Sequence, residues 1–319
     1  MSGGLLVVTG GAGFIGSHLV DHLVVRGWRI RVVDNLSSGT PDNIKQHLES
    51  RNVEFLKLDL KSPEEAYEAV KGAQAVFHLA ANPEVRVSTT NPEVHFSENV
   101  VATFNLLEAM RKSGVRDLVF ASSSSVYGEP DEIPVGEDAP VRPVSVYGAS
   151  KAACENLMHA YSRLYGIRVV VLRYANVVGP RLRHGAVYDF IVKLKGNPSV
   201  LEILGDGTQT RSYIHVSDAV EATITAWEKS AGGYEVYNVA SEDWITVGEV
   251  AEIVVGAMGL RGVEFVYRPV LHGVGWPGDV KRVALKIEKL KSLGWKPKLK
   301  SREAVAEAAR SILRELQKA

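Results

Sequence analysis

The first half of this chain sets short β-branched runs between stretches of helical spacing. Residues 5–8, 30–33, 53–56, 75–79 and 118–121 are near-continuous apolar runs of strand length, as parallel strands buried on both faces require. Between them, residues 16–26, 63–70, 101–113 and 149–165 place apolar side chains three and four apart, the spacing of amphipathic helices. Repeated β-α-β units predict an α/β fold with a doubly wound parallel sheet and right-handed crossovers. Residues 169–172 continue that sheet, and 234–239 read as a later strand returning to it.

After Arg173 the rhythm breaks. Residues 176–209 mix Gly, Pro and isolated charges and read as loops around one short helix. Two further helices, 246–258 and 302–318, flank a Gly- and Pro-containing stretch at 267–278. The expected division is a dinucleotide-binding domain over 1–175, with a return segment at about 213–240. A smaller, discontinuous α+β substrate lobe takes 176–212 and 241–319. Such a lobe would sit over the carboxyl ends of the strands, where open α/β sheets bind ligands.

Composition narrows the function classes. Lys+Arg and Asp+Glu both total 37, so no global charge points to nucleic acid or an anionic membrane as partner. The single cysteine, Cys154, excludes an intramolecular disulfide and a cysteine metal cluster, and reads as a small buried residue. No apolar run reaches the roughly 18 residues of a membrane span, and the start lacks a signal-peptide pattern. A cytoplasmic enzyme is expected. His18 and His22 stand four apart but lack the Glu of a zinc-protease motif, so no metal site is assigned.

The first chemical signal is Thr9-Gly10-Gly11-Ala12-Gly13-Phe14-Ile15-Gly16, between the first strand and the first helix. Gly10 suits a tight turn, Gly13 a close approach of backbone to a pyrophosphate, and Gly16 tight helix–strand packing. Free N–H groups at the start of the helix that follows would hold the anion, with Phe14 and Ile15 among the residues expected along the cofactor. Asp34 ends the second strand, where a carboxylate meets the adenosine ribose; it would repel a 2′-phosphate, so NAD is expected over NADP. The same carboxylate could simply cap the following turn, which starts with Asn35. Asp59 and Leu60, after the third strand, either flank the adenine or make a plain turn.

Tyr147 and Lys151 stand four apart at a helix start and so share a face. A phenol is a poor base at neutral pH, but a neighbouring ammonium and an oxidised nicotinamide would lower its pKa. The serine cluster 122–125, after a buried strand, could bring a hydroxyl beside it.

Taken in order, the glycine loop, Asp34-Asn35-Leu36, His78-Leu79-Ala80-Ala81, Asn99, Ser122-Ser123-Ser124-Ser125-Val126-Tyr127-Gly128, Tyr147-x-x-x-Lys151 and Arg173-Tyr174-x-Asn176 resemble the extended short-chain dehydrogenase/reductases. The likeness is strongest to the UDP-glucose 4-epimerase family and spans nearly the whole chain. It implies a Rossmann-like fold and Tyr147 as catalytic base. Lys151 would bind the nicotinamide ribose and tune Tyr147, and Ser123 would donate to the reacting sugar oxygen, with Ser122 and Ser124 the nearest alternatives. It further implies Leu79, Ala80, Ala81 and Asn99 along the NAD, and a homodimer through helices 101–113 and 149–165. Related 4,6-dehydratases carry an Asp-Glu pair where this chain has Ser124 and Ser125, which favours epimerisation over water elimination.

On the sugar-nucleotide side the resemblance implies a UDP-sugar substrate. Asn176 would contact its diphosphate, Arg211 would fork to a phosphate, and Asp279 would meet the nucleotide ribose. The family's arginine two residues before that Gly-Asp is replaced by Trp276, so a second phosphate cation is missing unless Lys281, Arg282 or His272 substitutes. Val283 falls near the position of the sugar C2 substituent, where a modest side chain is compatible with an N-acetylated hexose and equally with ordinary packing.

Overall fold

The computed structural model describes residues 4–318; Met1–Gly3 and Ala319 lie outside them. The β-branched runs form strands β1 (Leu5–Thr9), β2 (Arg29–Val33), β3 (Val53–Leu56), β4 (Ala75–His78), β5 (Asp117–Ser123) and β6 (Arg168–Tyr174). After β7 (Asn176–Val178), β8 (Val200–Leu204), β9 (Thr210–Arg211) and β10 (Tyr213–His215), the chain returns as β11 (Tyr234–Val239). A seven-stranded parallel sheet results, in the order β11-β6-β5-β4-β1-β2-β3. The direction of winding reverses between β1 and β4, which places a crevice at their carboxyl ends.

Alternate side chains of one strand serve two layers, which is why these strands are apolar throughout. Leu6 and Val8 of β1 pack with Leu19 and Leu23 of α1 (Phe14–Val25), whereas Val7 joins a second cluster. That cluster holds Ala66 of α2 (Pro63–Val70), Leu106 and Met110 of α3 (Ala102–Ser113) and Met158 of α4 (Val146–Tyr165). Helix α3 is entered through a π-helical turn, Phe96–Val101, where the 3.6-residue period predicts a plain helix start at 101.

The segment 176–209 departs from expectation. Besides one helix, α5 (Ala186–Gly196), it contributes β7 and β8. Strand β8 pairs in parallel with β13 (Glu264–Arg268), which runs into the stretch read as irregular. Between these lie α6 (Val216–Lys229), the two-residue strand β12 (Ile245–Thr246) and α7 (Val247–Ala257); α8 (Ser301–Lys318) closes the chain. Phe190 of α5, Val250 and Val254 of α7, Ile312 of α8 and Leu201 and Ile203 of β8 share a third buried cluster. Among the described residues no helix is long and apolar enough to cross a membrane.

Candidate active site

A cavity of about 740 Å³ opens at the carboxyl ends of the strands, and 18 of the 19 residues assigned a cofactor, catalytic or substrate role from the sequence line it. Asn99 is the exception. It is buried behind the wall, where Nδ2 donates to Ser150 Oγ at 2.8 Å and Oδ1 accepts from the Asn82 amide at 2.9 Å. Its place is under the loop after β4 and the start of α4, not along the cavity.

At one end lies the glycine loop. Gly10 has φ +67°, and a Cβ there would fall 2.7 Å from the Ala80 amide nitrogen. A Cβ on Gly16 would meet the Gly10 carbonyl oxygen at 2.2 Å. The loop therefore folds flat against the β4 exit, and α1 begins at Phe14 with neither a side-chain cap nor an acidic residue in its first turn. Its unpaired N–H groups, with Gly13, Phe14 and Ile15 in the wall, suit a pyrophosphate.

Asp34 answers both readings of the sequence. Its Oδ2 accepts from the Ala12 amide at 3.0 Å and Oδ1 from the Leu36 amide at 2.8 Å, so it pins the turn. It also lines the cavity, where burial raises its carboxyl pKa and those two amides oppose the rise. Asn35 Nδ2 reaches Asp59 Oδ2 at 3.5 Å, and Leu60 and Asp59 complete that corner. An adenosine ribose would find an acceptor here. The glycine cradle and this carboxylate together fit NAD.

At the middle of the cavity stand Ser123, Tyr147 and Lys151. Strand β5 extends through Ser123, two residues further than its apolar run, which separates the four serines. Ser122 Oγ turns away to Glu155 at 2.5 Å, whereas Ser123 lies beside the Tyr147 phenol, close enough to favour its ionised form. Helix α4 starts at Val146, capped by Ser145 Oγ accepting from the Gly148 amide, so Tyr147 sits in its first turn rather than before it. The Tyr147 amide donates to Ser88 Oγ at 3.1 Å, which fixes the turn after β4 against the phenol.

The electrostatics correct one expectation. Burial pushes the Tyr147 phenol up to about 12, and the nearby Ser123 hydroxyl only partly opposes it. Lys151 Nζ lies 5.9 Å from the Tyr147 ring centre but donates to the Ala121 carbonyl at 2.8 Å; burial pulls its own pKa down to about 8. Burial thus favours the protonated phenol, and a positive charge brought beside it would favour the phenolate.

At the far end, Arg211 and Asp279 come together, Nη2 to Oδ1, at 2.6 Å. Arg211 also donates to the carbonyls of Thr210 and Val280, so most of the fork expected for a phosphate is engaged within the protein; its Nε has no partner among the described residues. Asn176 stands nearby at the start of β7. None of the three substitutes considered for the missing arginine lines the cavity. Lys281 is paired to Asp206, while Arg282 and His272 are exposed. Trp276 does line it, with its indole Nε1 enclosed and unpartnered among the described residues. Val283 is buried in the same wall.

The sequence reading missed Glu84, Arg86, Arg181, His184 and Asp189, all of which line the cavity. The run of Arg181, Arg183 and His184 ahead of an amphipathic helix was the available signal, obscured by the loop assignment. Cys154 is buried, its thiol donating to the Asn99 carbonyl, and His18 Nε2 meets the Pro180 carbonyl at 3.0 Å.

Comparison with known proteins agrees with this geometry. Residues 6–240 match the NAD dependent epimerase/dehydratase family. The chain is 36% identical over 307 residues to the UDP-glucose 4-epimerase of Mycolicibacterium smegmatis, covering 94% of this chain and 96% of that one. A crystal structure of a UDP-galactose 4-epimerase is 50% identical, with a TM-score of 0.87 over 98% of this chain and 99% of the other. The UDP-glucose 4-epimerase of Thermus thermophilus, solved in complex with NAD, is 37% identical with a TM-score of 0.85, over 96% and 98% of the two chains. This chain belongs to the NAD dependent epimerase/dehydratase family.

Proposed function

We propose that the protein interconverts UDP-glucose and UDP-galactose by inverting C4 through a transient 4-keto sugar. The observation that carries this is the placing of Ser123, Tyr147 and Lys151 between a pyrophosphate cradle and the Arg211–Asp279 end of one cavity. The cradle and Asp34 would hold NAD, with Leu79, Ala80 and Ala81 along it. When bound, NAD supplies the hydride acceptor and donor and, in its oxidised form, the positive charge that favours a phenolate. Tyr147 would take the C4 hydroxyl proton and later return it to the 4-keto oxygen as C4 is reduced. Ser123 holds the same oxygen by a hydrogen bond. Lys151, held by the Ala121 carbonyl at 2.8 Å, keeps positive charge near the phenol.

One feature separates epimerisation from elimination. Ser124 and Ser125 follow Ser123 and offer no carboxylate to remove a proton or expel water; Ser125 Oγ instead accepts from Ser123 at 3.1 Å. Asp279 and Arg211 would face the nucleotide ribose and diphosphate, with Asn176 beside them. Residues 1–175 plus about 213–240 would carry the NAD, and 176–212 with 241–319 the sugar nucleotide. The reaction consumes no reducing equivalent, so purified protein should turn over without added NADH.

The deciding test incubates the protein with UDP-galactose and reads product stereochemistry by NMR, beside Tyr147→Phe. Wild type should reach a UDP-glucose/UDP-galactose equilibrium. The variant should retain NAD and lose about 10³-fold or more in kcat, within the usual range for a removed general base. Stoichiometric NADH formation would point to a dehydrogenase instead, and a near-wild-type variant would remove Tyr147 from its role. A homodimer through α3 and α4 is part of the same proposal: these packed helices leave Phe104, Leu164 and Tyr165 exposed. So is a cytoplasmic place in hexose interconversion.

A further inference from the structure

The wall beside the phenol carries a charge arrangement that the epimerase reading does not use. The turn Val85–Thr89 is tied to the reacting end by the Tyr147 amide bond to Ser88 Oγ. Just ahead of it, Glu84 takes the Arg86 guanidinium in a two-point clasp, Nε to Oε1 at 2.9 Å and Nη2 to Oε2 at 3.0 Å. From the opposite wall, Asp189 in the first turn of α5 brings Oδ2 to 3.5 Å from Arg86 Nη2. One cation is thus held between two carboxylates, all three facing the cavity.

Of the neighbouring cations in the lining, Lys193 and Arg183 are matched, whereas Arg181 pairs with Asp21 through Nη2 at 2.9 Å and leaves Nη1 without a partner among the described residues. Lys193 Nζ donates to the Glu202 carbonyl at 3.0 Å and lies 3.7 Å from its carboxylate. Arg183 pairs with Glu315 at 2.9 Å. His184 is kept towards its neutral form by burial. Burial also raises the Asp189 carboxyl, whereas the Arg86 guanidinium holds the Glu84 carboxyl below its ordinary range.

We infer that the Glu84–Arg86–Asp189 clasp is a specificity determinant that admits a neutral hexose and rejects a sugar carrying a C6 carboxylate. The inference rests on the 4-epimerase reading. A carboxylate is an acceptor with lone pairs to spare, so Glu84 and Asp189 can receive sugar hydroxyls. A uronate would place a third anion against two, with the adjacent guanidinium already bidentate. Like charges brought together at an interface disfavour the wrong partner strongly, and a buried anion without its own cation adds a desolvation cost.

The test measures kcat/KM for UDP-galactose and UDP-glucuronate on wild type, Glu84→Gln, Asp189→Asn and the double variant, with products read by NMR. Wild type should favour UDP-galactose by about 100-fold or more, and the double variant should narrow that ratio by about tenfold or more. Comparable turnover of both sugars by wild type overturns the inference. So does an unchanged ratio in variants that still convert UDP-galactose. If the variants do not fold, the wild-type ratio alone decides. No turnover of either sugar by wild type would strike the epimerase reading instead. In that event calorimetric binding decides the clasp: equal or tighter binding of UDP-glucuronate overturns it, and weaker binding supports it.

Discussion

At the scale of single residues, the glycine loop shows how little tolerance the cofactor end has. Gly16 is the sharpest case, because its missing Cβ would meet a backbone oxygen at 2.2 Å, and backbone cannot swing aside as a side chain can. Gly16→Ala should therefore cost about 1–3 kcal/mol of stability and weaken NAD binding. Urea unfolding with cofactor titration would show it; a variant with wild-type midpoint and NAD affinity would contradict the close packing. Of the catalytic serines, only the strand register tells which one meets the phenol. Four consecutive serines look alike as residues. Once β5 runs through Ser123, Ser122 points to Glu155 in the core and Ser123 to the cavity. The phenol's chemistry was less legible. The i,i+4 spacing of Tyr147 and Lys151 suggests direct activation, yet Lys151 spends its hydrogen bond on the Ala121 carbonyl and enclosure raises the phenol. Burial is a property of the fold, and no spacing rule contains it.

Elements show where local pattern succeeds and where it fails. The helices were readable because each buries one stripe, and α3 and α4 are joined on that side by a polar tie as well. Glu108 accepts from the Tyr161 hydroxyl at 2.8 Å and from Arg111, whose guanidinium holds the Glu108 carboxyl down at about 2 from an ordinary 4.5. A depressed folded-state pKa contributes stability above the unfolded value and loses it as pH falls towards the folded one. Glu108→Gln should thus cost about 1 kcal/mol at pH 7, discounted for partial exposure. The deficit should shrink between about pH 4.5 and 2, as denaturant unfolding at several pH values would record; a constant deficit would refute the linkage. Strands β8 and β13 were missed for a different reason. They pair only with each other across some sixty intervening residues, and β13 lies partly exposed at the lobe's edge, so neither has the all-apolar signature of the main sheet.

For the whole molecule, the arrangement of the two walls matters more than any one motif. Arg86 comes from the loop after β4 and Asp189 from α5, more than a hundred residues later, and only the closure of the lobe over the sheet joins them. The buried pair Arg173–Glu155 behind the serines is similar. In sequence these are two ordinary charges, and in the fold they are enclosed together at 2.6 Å. The exposed apolar side chains on α3 and α4 bear on assembly. Sedimentation should give a dimer at micromolar concentration, and Phe104→Asp should shift it towards monomer; an unaltered sedimentation coefficient would remove that face from the interface.

What the chain determines by itself is the order of its units. Apolar runs on both faces of the strands, amphipathic helices between them, and glycines at a strand–helix junction suffice for the sheet, its winding and the cofactor cradle, because each is a short-range consequence of periodicity and sterics. Only the tertiary structure decided which serine faces the phenol, that Arg211 is engaged by Asp279, and that Trp276 rather than a substitute cation lines the nucleotide end. The serine's facing is set by the register of β5 against α4, and the other two outcomes by contacts between segments distant in sequence that only the folded lobe brings together.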